Sequence, residues 1–185
     1  MNKLFVRIFL FLALGLTSMN NLHATESSLP IELDRYMGRW YVIANIPYFP
    51  ERGKVATYDE YILRTDGRID NIFGFKKSFG KKEKQWKALA TVKPDTGNRK
   101  WTIKFFGLLN ADYEILEIAP DYSWVLIGHP KREMAWIMAR SAKMDDAQYE
   151  VLVKKFENYD YKTSTISAIK RIAQFEEQVG KPGFQ

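Results

Sequence analysis

Residues 38–41 read Gly38-Arg39-Trp40-Tyr41, and Arg140 ends a strand-like run much further along the chain. A glycine allows a tight turn immediately before a strand, because it adopts backbone conformations that other residues avoid. The Trp40 indole offers a flat face on which an arginine guanidinium stacks while it keeps its charge. We therefore expect Gly38, Trp40 and Arg140 to form one structural motif, with Trp40 early in the first strand and Arg140 at the end of the last.

Eight short segments have the alternation and spacing of strands in a sandwich or barrel. Compact polar turns separate several of them, including Thr65-Asp66-Gly67 and Pro94-Asp95-Thr96-Gly97. After the last strand, Asp145 or Asp146 can cap a helix that runs to about Asn158. The predicted strands are residues 39–47, 55–64, 68–76, 86–93, 99–106, 112–118, 122–128 and 134–140. The sequence thus predicts an all-β domain that is followed by one amphipathic helix.

The same motifs resemble those of the lipocalins, which are eight-stranded up-and-down barrels that hold one small apolar ligand. The similarity extends from about Asp34 to Asn158, with Gly38-Arg39-Trp40 as the first block and Trp136-Ile137-Met138-Ala139-Arg140 as the third. Glu51-Arg52-Gly53 is similar to a loop of bacterial lipocalins. The second block is imperfect, because Ala119 stands where the family places an aspartate. The resemblance implies an eight-stranded antiparallel barrel with one C-terminal helix packed outside.

The beginning of the chain has the composition of an export signal. Lys3 and Arg7 are followed by an apolar run, residues 8–16, that is too short to span a bilayer. We predict a signal peptide over residues 1–24, a barrel plus helix over 25–170 and a C-terminal extension over 171–185; an uncleaved anchor is the alternative for the first segment. Residues 166–172 suit a ninth strand or a second helix. The predicted location is periplasmic or secreted.

The chain contains no cysteine and only two histidines. No lipid can be attached to an N-terminal cysteine, unlike in many bacterial lipocalins, and disulfides and thiolate chemistry are excluded. One loop histidine, His129, cannot build a zinc site. With no glycine-rich phosphate loop either, we expect a soluble, unanchored protein that has no catalytic residues, no metal, no cofactor and no nucleic-acid partner.

Side chains alternate between the two faces of a strand, so that placing Trp40 and Arg140 inside assigns the inward positions of the other strands by resemblance. Small alanines alternate with aromatic residues there, and a barrel of this size can hold one small ligand. The residues that we expect to line it are Ala44, Phe73, Phe75, Ala90, Phe105, Tyr113, Ile115, Leu126, Trp136 and Met138. The same register points Glu117 inward, where it would replace the missing aspartate beside Arg140.

The loops after the odd-numbered strands share one end of a meander, and they mix basic with apolar residues. An acyl chain gains about 0.8 kcal/mol per buried CH₂, whereas an unpaired charge is costly to bury. The sequence therefore predicts that a fatty acid, lysophospholipid or similar amphiphile is carried or stored with its tail inside and its anionic head at the rim. Arg52, Lys82 and Arg132 are the expected head contacts, and the rim could also meet an anionic membrane.

Two other interpretations remain at this stage. A lipocalin-like enzyme would act on a lipid or isoprenoid in the barrel, with Asp59, Tyr113 or Glu117 as acid or base. A barrel filled by its own side chains would instead bind a protein or a polyanion through its basic rim. A cavity in the structure, and the residues that line it, would distinguish these possibilities.

Overall fold

The computed structural model describes residues 29–185, and within them nine strands form one antiparallel sheet. The strands are β1 (Gly38–Ile46), β2 (Val55–Leu63), β3 (Ile69–Lys76), β4 (Lys84–Val92), β5 (Lys100–Phe105), β6 (Leu109–Ile118), β7 (Trp124–Gly128), β8 (Ala135–Ala139) and β9 (Lys170–Arg171). Each of β1 to β8 pairs with its neighbours in sequence, and β1 pairs with both β2 and β8. The sheet therefore closes on itself, and the predicted eight-stranded barrel is confirmed.

Three helices accompany the barrel in this part of the chain: α1 (Leu33–Tyr36), α2 (Asp146–Lys155) and α3 (Thr163–Ile166). The Asp145 carboxylate accepts a hydrogen bond of 2.8 Å from the Gln148 amide, so Asp145 is the N-cap of α2. A 3₁₀ turn, Phe156–Tyr159, continues α2 to the position expected from the sequence. Leu152 and Phe156 are buried against the outer face of the barrel, which places the helix outside.

The C-terminal segment is part of the barrel wall. β9 pairs with β1 at Ala44 and Asn45, along the edge that β2 leaves after Tyr41. Further on, the Gln174 amide donates to the carbonyls of Val42 at 2.7 Å and Thr57 at 3.0 Å, so it links β1 to β2 where they separate. A ninth strand, one of the two expected alternatives, is therefore present. The predicted signal peptide lies outside the described residues.

The wall has an apolar core on each face. The inner core contains Trp40, Trp101 and Tyr113, and the outer one, under α2, contains Leu116, Ile137 and Phe156. A bulge in β1 between Val42 and Ala44 and another in β6 between Ile115 and Glu117 exchange the faces of the residues that follow them. Face assignments made by strict alternation therefore fail beyond these points.

Three assignments need correction: those of Ala44 and Glu117 because of these bulges, and that of Leu126 because β7 pairs with β8 in the opposite phase to the one expected. Ala44 lies directly opposite Ile137 of β8, so both residues face the outer core. Leu126 also pairs with Ile137 and packs outside, while its neighbours Val125 and Ile127 face in. Glu117 contacts α2 and the following turn, because its carboxylate accepts hydrogen bonds from Lys155 at 2.6 Å and Tyr159 at 2.9 Å. It does not lie beside Arg140.

Candidate ligand cavity

One end of the barrel is closed by the motif that opened the sequence. The Arg140 guanidinium lies 3.8 Å above the Trp40 ring and donates to the carbonyls of Arg35 at 2.7 Å, Met37 at 2.9 Å and Arg39 at 2.9 Å. Gly38 has φ +89°, and an added Cβ would lie 3.4 Å from the guanidinium. Arg140 thus holds α1 and the start of β1 across the floor with charge-assisted hydrogen bonds.

Aromatic rings fill the interior above this floor. Tyr36 of α1 is fully buried, and its ring contacts those of Trp40, Tyr61 and Trp101. The Tyr113 hydroxyl lies 2.5 Å from that of Tyr36 and accepts a hydrogen bond of 3.1 Å from Tyr61. Burial raises the pKa of all three tyrosines well above the ordinary value. The floor half of the barrel is therefore packed by the protein itself.

The other half holds a cavity of about 290 Å³ that opens between the loops. It is lined by Tyr48, Pro50, Glu51, Asp59, Phe73, Trp86, Phe105, Phe106, Leu109, Asn110 and Ala111. A smaller space of about 40 Å³ continues inward past Tyr113, Trp136 and Met138. The volume is at the lower end of the range for small-molecule pockets, and most of its wall is apolar. We call it the mouth cavity.

The structure brings only some of the expected lining residues to this cavity. Phe73 and Phe105 line its main part, and Tyr113, Trp136 and Met138 line the inner space. Phe75 lies behind Trp86, with ring centroids 4.6 Å apart. Ala90 and Ile115 are buried in the inner core and do not line it. An inward-facing side chain therefore does not necessarily line the cavity, because the cavity occupies only part of the barrel interior.

Two carboxyl groups in the mouth cavity are its most unusual feature. The Asp59 carboxylate accepts a hydrogen bond of 2.8 Å from Asn71, and Glu51 accepts one of 3.2 Å from the Trp136 indole. Burial raises the pKa of Asp59 to about 7. Burial, and after it the charge of Asp59, raise the pKa of Glu51 to about 8. At neutral pH, therefore, Glu51 is mostly protonated and Asp59 is divided between its protonated and ionised forms.

Sequence reasoning missed Glu51 and Tyr48 as cavity residues. Glu51 ends a 3₁₀ turn, Phe49–Glu51, in the long loop between β1 and β2, and this loop folds back over the mouth. Alternation along strands cannot locate the side chain of a loop residue. The similarity of Glu51-Arg52-Gly53 to a loop of bacterial lipocalins was the one signal that pointed to this segment. Asp59, by contrast, lies opposite Trp40 in the β1–β2 ladder, so its inward direction follows from the register.

The basic residues are distributed unevenly around the mouth. Arg52 and Lys82 are exposed, in the β1–β2 and β3–β4 loops respectively. The Lys54 ammonium donates to the Pro50 carbonyl and lies 4.8 Å from the ring centroids of both Phe75 and Trp86. Burial lowers the pKa of Lys54. Arg132 instead forms an ion pair of 2.5 Å with Glu114, which also pairs with Lys100, so its guanidinium is held on the outside of the wall.

Exposed apolar side chains surround the same opening. The exposed fractions are 80% for Phe49, 64% for Phe106, 85% for Leu108 and 66% for Leu109. We call these four residues the apolar rim. Within residues 29–185, no helix is long and apolar enough to cross a membrane, and no group of His, Asp and Glu is arranged to hold a metal ion.

The chain is similar to known proteins along most of its length. The family model described as a lipocalin-like domain matches residues 31–171. The temperature-induced lipocalin-1 of Arabidopsis thaliana is 35% identical over 140 residues, which cover 70% of this chain and 75% of the relative. The outer membrane lipoprotein Blc of Citrobacter freundii is 31% identical over 137 residues, covering 71% and 70% respectively.

Solved structures agree on the architecture. Insecticyanin from the tobacco hornworm, Manduca sexta, superposes with a TM-score of 0.62 at 21% identity and covers 82% of this chain and 85% of its own. Lobster apocrustacyanin A1 superposes with a TM-score of 0.57 at 17% identity, covering 79% and 81%. At these identities the structural similarity shows the fold alone.

Proposed function

The chain belongs to the lipocalin family, whose members generally bind small hydrophobic ligands, and we propose that it binds a fatty acid, a lysophospholipid or a similar amphiphile in the mouth cavity. The observation that carries this proposal is a largely apolar space of about 290 Å³ with an opening to solvent. Each CH₂ that enters it gains about 0.8 kcal/mol, before the costs of association. The protein then serves as a carrier or a store, and no chemical step is needed.

The anionic head of such a ligand stays at the rim beside Arg52 and Lys82. Both side chains are exposed, and a carboxylate or phosphate there keeps its contact with water, which avoids the cost of burying a charge. Arg132 is no longer a candidate for this role, because its ion pair with Glu114 holds it on the outside of the wall. The apolar rim and the exposed lysines of the β3–β4 loop also suit a peripheral contact of the mouth with an anionic membrane.

A titration with cis-parinaric acid tests the proposal, with dodecanoic acid and dodecanol as competitors. Ala111 lines both parts of the cavity, so Ala111→Phe fills it, and we expect affinity to fall at least tenfold. Ala168→Phe, at an exposed position away from the cavity, is the matched control. The double variant Arg52→Gln/Lys82→Gln should weaken dodecanoic acid and leave dodecanol unchanged. The proposal fails if the native protein binds none of these three compounds and carries no lipid in native mass spectrometry.

An enzyme that acts on a lipid is a second candidate, because Asp59 combines a raised pKa with a position in the cavity wall. The two other acid or base candidates are less suited. The Tyr113 hydroxyl is hydrogen-bonded to two tyrosines at the floor, and Glu117 faces α2 outside the barrel. Incubation with a lipid mixture distinguishes the candidates, since an enzyme would change the masses of the recovered lipids and a carrier would not.

A further inference from the structure

The carboxyl groups in the mouth cavity are only partly engaged by the protein. Both hydrogen bonds to Glu51, from Trp136 at 3.2 Å and Asn45 at 3.4 Å, reach Oε2, and the bond from Asn71 to Asp59 reaches Oδ1. Among residues 29–185, nothing donates to Glu51 Oε1 or Asp59 Oδ2. The buried Tyr48 hydroxyl, in the same wall, also has no partner there. We call Tyr48, Glu51 and Asp59 the acid pocket.

The hydrogen bonds that these two side chains form with the wall do not require a carboxyl group. Their observed contacts are hydrogen bonds accepted from neutral amide and indole groups, and a glutamine or asparagine oxygen would accept the same bonds. A buried carboxylate is expensive unless a positive charge or several donors compensate it. Buried polar groups in native proteins nearly always have a partner, so the unpartnered Tyr48 hydroxyl, beside two carboxyl groups that can each accept a further hydrogen bond, points to a ligand that engages them.

The other charged and titratable groups around the acid pocket do not supply the missing compensation. The groups that face it are Lys54 from the β1–β2 loop, Tyr61 from β2, Asp112 and Tyr113 from β6, besides Asn45, Asn71 and Trp136. Asp112 is paired with Lys93 at 2.7 Å. Lys54 is held on the Pro50 carbonyl and can balance one carboxylate. When both acids ionise, one negative charge is left without a counter-charge.

We propose that the acid pocket binds the protonated head of a long-chain primary amine, whose alkyl chain extends outward along Phe73, Phe105 and Leu109. An ammonium group has three N–H donors and one positive charge. The Tyr48, Glu51 and Asp59 oxygens are acceptors that line the same space and can take these donors, and the positive charge of the ammonium completes the charge balance with Lys54. This ligand class goes beyond the proposed function, because the amine enters head first, whereas an anionic amphiphile keeps its head at the rim.

The affinity for such an amine depends on pH. In the folded protein the pKa values of Asp59 and Glu51 are about 7 and about 8, so a bound ammonium displaces the protons that these groups still hold. An alkylamine keeps its proton up to about pH 10, as a lysine does. Amine affinity therefore rises between about pH 6 and pH 9, while the affinity for the uncharged alcohol of equal length stays constant.

Calorimetric titration with dodecylamine and dodecanol at pH 6 and pH 8.5, below the concentration at which either aggregates, tests this assignment. We expect the native protein to prefer the amine at least tenfold at pH 8.5 and less at pH 6. The double variant Glu51→Gln/Asp59→Asn should lose the preference and keep its dodecanol affinity. The control is Glu60→Gln, on the same strand, which removes an outward acid paired with Arg39 at 3.0 Å.

Equal affinities for amine and alcohol in the native protein would overturn the assignment, and so would a preference that persists in the double variant. Circular dichroism of the variant confirms that it is folded. Dodecanoic acid, titrated in parallel, separates the two proposals. If it binds and the amine shows no preference, only the acid pocket is refuted as an amine site. If none of the three probes binds, the mouth cavity is not a ligand site and both proposals fall.

Discussion

The buried carboxyl groups of Asp59 and Glu51 connect the stability of this barrel to pH. The ordinary pKa of an aspartate is about 4, and that of Asp59 in the folded protein is about 7. Between these values the folded protein holds a proton that the unfolded chain has released, so the free energy of unfolding falls as the pH rises. Glu51 acts in the same direction up to about pH 8. Ionisation of these two groups therefore lowers the free energy of unfolding over the same pH range in which it favours the binding of an amine.

Asp59→Asn removes this cost while it keeps the hydrogen bond with Asn71. We expect the variant to match the native protein near pH 4, where the carboxyl group is uncharged, and to exceed it at pH 8.5 by on the order of 1 to 4 kcal/mol. Urea unfolding at the two pH values measures the difference. Glu60→Gln, at the next position on the outer face, should show no such gain; a variant as stable as the native protein at both pH values would contradict the burial of a titrating group.

At the scale of single residues, the structural role of a side chain in a strand was easier to predict than the location of a side chain in a loop. Trp40 and Arg140 are recognisable because a tryptophan in the first strand and an arginine at the end of the last strand can stack on each other once the barrel closes. Asp59 follows from its place opposite Trp40. Glu51 and Tyr48 do not follow, since they belong to a loop whose fold over the mouth depends on tertiary contacts such as the one between Glu51 and Trp136.

At the scale of elements, the strands were predictable and their faces were not always so. Turn residues and alternation locate β1 to β8 within a few residues, since both act locally. A bulge adds one residue and exchanges the two faces, and nothing in the residues 42–44 marks it. Ala44 therefore packs with Ile137 under α2. The sequence left a ninth strand and a second helix open for residues 166–172, because the pairing with β1 that decides for the strand joins residues distant in sequence.

The outer seam between β7 and the segment after α2 depends on a glycine. A Cβ at Gly128 would lie 2.6 Å from the Tyr161 hydroxyl and 2.9 Å from a methyl group of Leu116. The hydroxyl donates to the Met134 carbonyl at 2.7 Å, so it is not free to move. We expect Gly128→Ala to cost about 1 to 3 kcal/mol in the free energy of unfolding, as overpacking usually does.

Urea unfolding checks this expectation, and parinaric acid binding shows where the damage lies. Because Tyr161 and Leu116 belong to the outer core, the affinity of the mouth cavity should stay within twofold of the native value at pH 7. Gly80→Ala is the matched control, since no atom lies within 4 Å of the added methyl group. Equal stability of the two variants would show that the seam tolerates the extra volume.

At the scale of the whole molecule, the two ends of the barrel differ in kind. One end is sealed by α1, Arg140 and a solid aromatic floor. The other opens into the mouth cavity between loops that carry the apolar rim and the exposed Lys77, Lys81, Lys82 and Lys84. Such an end suits the surface of an anionic bilayer. The charged headgroups attract the lysines, and the acyl region beneath them accepts the apolar side chains of the rim. A ligand could then pass from the membrane to the cavity without crossing water.

Sedimentation with vesicles of phosphatidylglycerol and phosphatidylcholine tests whether this end meets a membrane. Removing much of a buried leucine or phenylalanine side chain costs about 1.5 to 3 kcal/mol, so Phe106→Ser/Leu108→Ser should weaken vesicle binding at least tenfold. Val151→Ser removes another exposed apolar side chain, 58% accessible, from the outer face of α2 and should not change vesicle binding. Higher salt should weaken the native interaction, because each basic residue near the surface contributes about 1 kcal/mol through screened attraction. Binding that is insensitive to the rim substitutions, or equally reduced by Val151→Ser, would show that the mouth is not the surface that approaches the bilayer.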